Sequence, residues 1–117
     1  MSLFQKHNQP KEYVLWRDWR VTLDGKYEQI DSDDSCQLIN KDGSRVIYGS
    51  SFVINGPKDV KDELHYLDME KEVEGSYHLG ASVVQNNEAL TIVVTFSDPL
   101  DESWARSVIE SAHRVYI

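Results

Sequence analysis

Asp31, Asp33 and Ser35 occupy the first, third and fifth places of a calcium-loop pattern whose twelfth place falls on Asp42. The sixth place, where such a loop turns sharply and takes Gly, holds Cys36, and the twelfth holds Asp where the loop uses a bidentate Glu. No helical pattern flanks the segment. These acids therefore read as a solvated turn between strands, their carboxylates bonded to nearby amides.

The other reactive side chains are as sparse. His7, His65, His78 and His113 show no pair at the spacing of a zinc helix or ribbon. Cys36 is the single cysteine, so it forms no internal disulfide, and no catalytic signature surrounds it; it reads as a small core residue. Ser50 and Ser51 follow Gly49 in "YGSSF", which lacks the G-x-S-x-G elbow, and Gly49 reads as a bulge or a close backbone approach. Neither G-x-G-x-x-G nor a Walker sequence occurs. No catalytic residue, metal or cofactor is expected.

Two stretches point to recognition. "VLWRDWR" sets Trp16 and Trp19 three apart with Arg17 and Arg20, residue types enriched at binding hot spots. The competing reading puts one Trp in the core and stacks the other against an arginine. The second stretch is acidic: Asp59, Asp62, Glu63, Asp68, Glu70, Glu72 and Glu74 stand against Lys61 and Lys71. It is either the wet face of a helix or a negative patch that steers a basic protein partner, with Asp62, Glu63, Glu70 and Glu72 as the expected contacts.

The formal net charge of −8 argues against nucleic acid and against an anionic membrane surface, since both need clustered Lys and Arg. No apolar run approaches the length of a spanning helix, and "MSLFQKHNQPKE" has neither the apolar core nor the cleavage site of a signal peptide. The expectation is a soluble, cytoplasmic chain. In size and charge it is similar to small acidic immunity proteins that neutralise toxins and to small effector chaperones, a likeness of class that no motif carries. The leading expectation is thus a non-catalytic protein-binding domain. The alternative is a small-ligand domain or small enzyme, with a pocket between sheet and C-terminal helix lined by Tyr48, Phe52, Tyr77, His78 and Trp104. A third reading joins two copies edge to edge through a strand.

These residues need a scaffold, and 117 residues suit one domain. Residues 1–12, polar and without periodicity, read as a flexible arm before a single domain at 13–117. Strands are predicted at Trp16–Leu23, Tyr27–Ile30, Gln37–Asn40 and Arg45–Ile54, punctuated by the Asp24-Gly25 and Asp42-Gly43 turns. Val60, Leu64 and Leu67 recur at helical spacing behind Pro57, predicting a helix over 57–67. Tyr77, Leu79, Ala81 and Val83 alternate along one strand and Leu90, Ile92, Val94 and Phe96 along the next, joined by "QNNE". Asp98 or Ser97 as cap and Pro99 at the first position start a final helix over 99–114, with a stripe of Leu100, Trp104, Val108, Ala112 and Val115. The fold class is α+β: a mostly antiparallel sheet of five to six strands with two helices packed on one face.

Overall fold

In the computed structural model, residues 9–54, 60–71 and 75–115 are described. Most of the fold is built from hairpins. β1 (Lys11–Trp16) pairs antiparallel with β2 (Trp19–Leu23) through a turn in which Arg17 takes a positive φ of 52°. β3 (Tyr27–Asp31), β4 (Cys36–Asn40) and β5 (Arg45–Val53) continue as a meander. Ser32 donates its amide to the Ser35 carbonyl in the first turn of that meander, and Asp42 accepts from the Ser44 amide and hydroxyl in the second. The acids of the calcium-loop pattern are thus divided between two hairpin turns.

β8 (Tyr77–Gln85) and β9 (Glu88–Phe96) form the longest hairpin. Its turn residues Asn86 and Asn87 both have positive φ, 49° and 62°, as the two-residue turn matched to strand twist requires. β9 then pairs along the whole of β5, which closes a seven-stranded antiparallel sheet in the order β3-β4-β5-β9-β8-β6, with β7 also on β8. After a single 3-10 turn, Pro99–Asp101, helix α1 (Glu102–Ser111) runs back, and β10 (His113–Arg114) pairs with β2 to complete a three-stranded second sheet.

The small sheet and α1 lie side by side on one face of the large sheet. β1 packs over β4 and β5, and α1 over β8 and β9. Between the layers, Leu15, Trp19, Val21 and Leu23 meet Leu38, Ile47, Leu79, Leu90, Ile92, Val94 and Phe96, and α1 adds Ala105, Val108 and Ile109. At Gly49 the layers come so close that a Cβ would sit 2.5 Å from the Leu15 Cγ. The β4–β5 and β5–β9 registers run unbroken through Gly49, so it marks a close approach and not a bulge.

The predicted pair of helices is corrected to one. Within 57–67, residues 55–59 lie outside the described residues, and Glu63–Tyr66 form strand β6 against Ala81–Val84. The apolar spacing there is real, but Val60, Leu64 and Leu67 are all exposed, so no helical stripe is buried. β8 would otherwise present a bare backbone edge, and pairing that edge outweighs a marginal local helix. The C-terminal helix is also shorter than predicted. Asp98 does cap, its carboxylate accepting the Leu100 amide at 2.9 Å, but it caps the 3-10 turn. Ala112 is extended, with ψ 126°, and the chain leaves the helix for β2. Leu100 consequently stands exposed, and the buried stripe is Ala105, Val108, Ile109 and Ala112. Of the predicted arm, residues 1–8 lie outside the described residues, while Lys11 and Glu12 open β1. Ten strands in two sheets among the described residues replace the five to six expected in one. Among the described residues no helix is long and apolar enough to cross a membrane.

Candidate functional site

The acidic segment becomes one edge of the large sheet. β6 (Glu63–Tyr66) and β7 (Glu70–Lys71) both pair with β8 and, among the described residues, have no strand on their outer side. Between them the Leu67 amide donates to the Gly80 carbonyl at 2.9 Å, so the edge is one interrupted strand. The Leu67 side chain packs over Gly80 here, 3.4 Å from where a Cβ would be.

Asp62, Glu63, Asp68 and Glu70 are exposed along this edge, and Glu72 lies outside the described residues. Interleaved with the carboxylates are Leu64, Leu67 and Met69, with 39%, 51% and 41% of their surface in water. Exposed aliphatic side chains bordered by charge, on a strand with a bare outer side, have the make-up of a surface that receives a partner. The inner side of the edge is firmly held. Tyr66 donates to a Glu110 carboxylate oxygen at 2.9 Å, and the Arg106 guanidinium lies 4.9 Å from its ring centre while pairing with Glu102. Burial, followed by the Glu110 carboxylate, pushes the Tyr66 hydroxyl pKa up, which keeps it a donor. Asp62 is anchored too, accepting the Asn86 amide at 2.9 Å.

The Trp/Arg stretch lies elsewhere. Trp19 is fully buried in the core, and Trp16 packs against it partly buried. Arg17 lies over the Trp16 ring, 5.1 Å from its centre, and Arg20 donates to the Arg17 and Trp19 carbonyls. These residues belong to the small sheet, and the edge belongs to the large one; only Asp62 at the edge's start is linked to their turn, through Asn86, Arg114 and Asp18. The two expected halves of a binding surface thus lie on different sheets and meet only near Asp62.

The residues of the expected pocket divide between two faces. Tyr77 stacks on Phe96 at 5.5 Å on the core side, in one cross-strand row with Arg45, whose guanidinium lies over Trp104 at 4.2 Å. Tyr48, Phe52 and His78 follow the alternate register and point to the opposite face, where His78 bonds Thr95 at 2.8 Å. Cys36 is buried in β4, and burial pushes its thiol up to about 11, far from a reactive thiolate. Among the described residues no three His, Cys, Asp or Glu side chains gather as a metal cluster.

Sequence reasoning found the acids of the edge but placed Leu64 and Leu67 on a helix and Met69 in a loop; the alternation Leu67-Asp68-Met69-Glu70 was the signal for an extended edge. It also missed the Arg45–Asp101–Trp104 cluster, in which Arg45 grips both carboxylate oxygens of Asp101 at 2.9 and 3.1 Å. No periodicity links residues so far apart in the chain.

No protein-family model and no curated protein matches the chain. A crystal structure from Bacteroides thetaiotaomicron VPI-5482 is similar to it over 85% of its length, with a TM-score of 0.59 and 17% sequence identity. This chain spans 46% of that protein's length. The likeness is one of fold.

Proposed function

We propose that this chain is a non-catalytic protein-binding domain, of the immunity-protein or chaperone-adaptor kind, that engages a partner with a basic surface along the β6–β7 edge. The observation that carries this reading is the alternation, on one exposed edge, of Leu64, Leu67 and Met69 with Asp62, Glu63, Asp68 and Glu70. The carboxylates steer a cationic partner into place, and the aliphatic side chains supply area to bury once it arrives. The bare outer side of β6 offers backbone groups to a partner strand. The Trp/Arg stretch is assigned to packing in this reading, since Trp19 is inside the core and its arginines are engaged locally.

The test is a pull-down from lysate of the source cell, comparing wild type with a variant carrying Lys at Asp62, Glu63, Glu70 and Glu72. A retained basic protein is then purified for association kinetics. At low salt the reversal is expected to slow association at least about tenfold, the lower end of electrostatic steering. An unchanged rate would remove the acidic edge from the proposal.

A further inference from the structure

At the end of the molecule away from the β8–β9 turn, the β2–β3 and β4–β5 turns enclose an open cavity of about 690 Å³. Its wall comprises Asp24, Gly25 and Lys26 from one turn, Lys41 and Asp42 from the other, and Tyr27 and Arg45 between them. The volume lies within the range of small-molecule sites. Tyr27 and Asn40 form the last rung of the β3–β4 ladder, and Lys26 and Lys41 follow it directly in the two turns that line the cavity. Neither lysine has a salt bridge among the described residues, in a chain whose acids outnumber its Lys and Arg by 20 to 12.

The rest of the wall is pre-set. Arg45 is fixed by Asp101 and by the Trp104 ring. Tyr13 packs edge-on against Tyr27 and donates its hydroxyl to the Gly25 carbonyl, which holds the β2–β3 turn in place. Burial pushes the Tyr27 hydroxyl up, so it stays a donor. Asp24 is exposed on the rim, and Asp42, whose pKa the Ser44 hydroxyl lowers, stays ionised beside it.

We propose that this cavity binds a small phosphorylated polyol of sugar-phosphate size. The phosphate lies between Lys26 and Lys41, and the hydroxyl-bearing body lies against Asp24 and Asp42. Two ammonium groups on one wall favour the phosphate of such a ligand, and the carboxylates on the rim accept from its hydroxyl donors. A bare anion satisfies only half of the wall. This inference stands on a different part of the molecule from the acidic edge and does not depend on it.

The experiment is isothermal titration calorimetry at low ionic strength in a phosphate-free buffer, with glucose 6-phosphate, glucose and inorganic phosphate as separate probes. Glucose 6-phosphate is expected to bind one site with Kd below about 1 mM, and each fragment at least about tenfold more weakly. The double variant Lys26→Ala, Lys41→Ala, in exposed turns, should keep its melting temperature and lose about tenfold or more in affinity. The edge variant at 62, 63, 70 and 72 should bind as wild type does, which keeps this result separate from the fate of the protein-binding reading. Absence of saturable binding, undiminished binding by the double variant, or inorganic phosphate binding as tightly as the sugar phosphate would each overturn the proposal.

Discussion

A single missing side chain sets how closely the two sheets approach. Gly49 faces Leu15 across the layers, and a Cβ there would lie 2.5 and 2.6 Å from the Leu15 Cγ and Cδ2. Leu15 is fully buried, so it has nowhere to retreat. Gly49→Ala is therefore expected to destabilise the fold by about 1–3 kcal/mol, the usual cost of overpacking. Leu15→Ala alone should cost about 2–5 kcal/mol through its cavity. The double variant should cost less than the sum, because the added methyl enters space the leucine has left. Urea denaturation of the four proteins checks this, and simple additivity would show that the contact is not what constrains Gly49. "YGSSF" left a bulge and a close approach open for this glycine, and its partner was not legible at all. Leu15 is 34 positions away, and only the layer packing brings the two together. The same limit hid the cavity, although its signal was present: "DGK" and "KDG" are mirror-image turns that begin and end one hairpin.

At the scale of elements, alternation was the most reliable guide. The β8–β9 hairpin was readable because alternating apolar residues on both sides of "QNNE" leave one face to bury, and they do lie at the core. Helical spacing misled at Val60, Leu64 and Leu67, since spacing reports periodicity and not burial. The end of α1 was illegible for a different reason: a long-range ion cluster draws the chain away. Arg114 pairs with Asp18 at 2.6 Å and with Glu88 at 2.9 Å, and the Glu88 side chain is only 8% exposed. Ser51 donates to the other Glu88 oxygen at 2.6 Å. This cluster ties β10 to the β1–β2 turn and to the start of β9. Arg114→Met leaves the Glu88 carboxylate buried without its cation, and the expected loss is about 3–5 kcal/mol. Adding Glu88→Gln to that variant should recover part of the loss, because an amide costs less to bury than a charge. Chemical denaturation decides it. A recovery of nothing would mean that Arg114 acts through its other bonds, to Asp18 and to the Gln85 and Asn86 carbonyls, and not through Glu88.

For the molecule as a whole, charge and architecture pull in different directions. Two sheets and one helix make a layered core on one side of β5, β9 and β8, while Tyr48 and Phe52 look outward from the other face of the same strands. That architecture places the ion pairs and the surplus acid differently. Arg114 and its partners are mostly covered, and Arg45 with Asp101 is about three-quarters covered. The surplus acid is exposed instead, at the β6–β7 edge with Asp62, Glu63, Asp68 and Glu70 and at the β3–β4 turn with Asp31, Asp33 and Asp34. Salt distinguishes these populations. Going from about 20 to about 300 mM NaCl shortens the screening length from about 20 Å to about 6 Å, which weakens repulsion among exposed carboxylates more than attraction within covered pairs. The folded state, which holds those acids closer together than the unfolded chain does, should therefore gain stability with salt. A gain of about 1 kcal/mol corresponds to a rise of a few degrees in melting temperature for a domain of this size. Scanning calorimetry across that range measures it, with the edge reversal at Asp62, Glu63, Glu70 and Glu72 as comparison. If the surplus at this edge is the source, the reversed variant should be less responsive to added salt than wild type, a readout that the lost Asp62–Asn86 hydrogen bond does not move. A melting temperature that falls with salt in the wild type would instead mean that the ion pairs outweigh the repulsion, and that the acids of the β6–β7 edge lie too far apart to strain the fold.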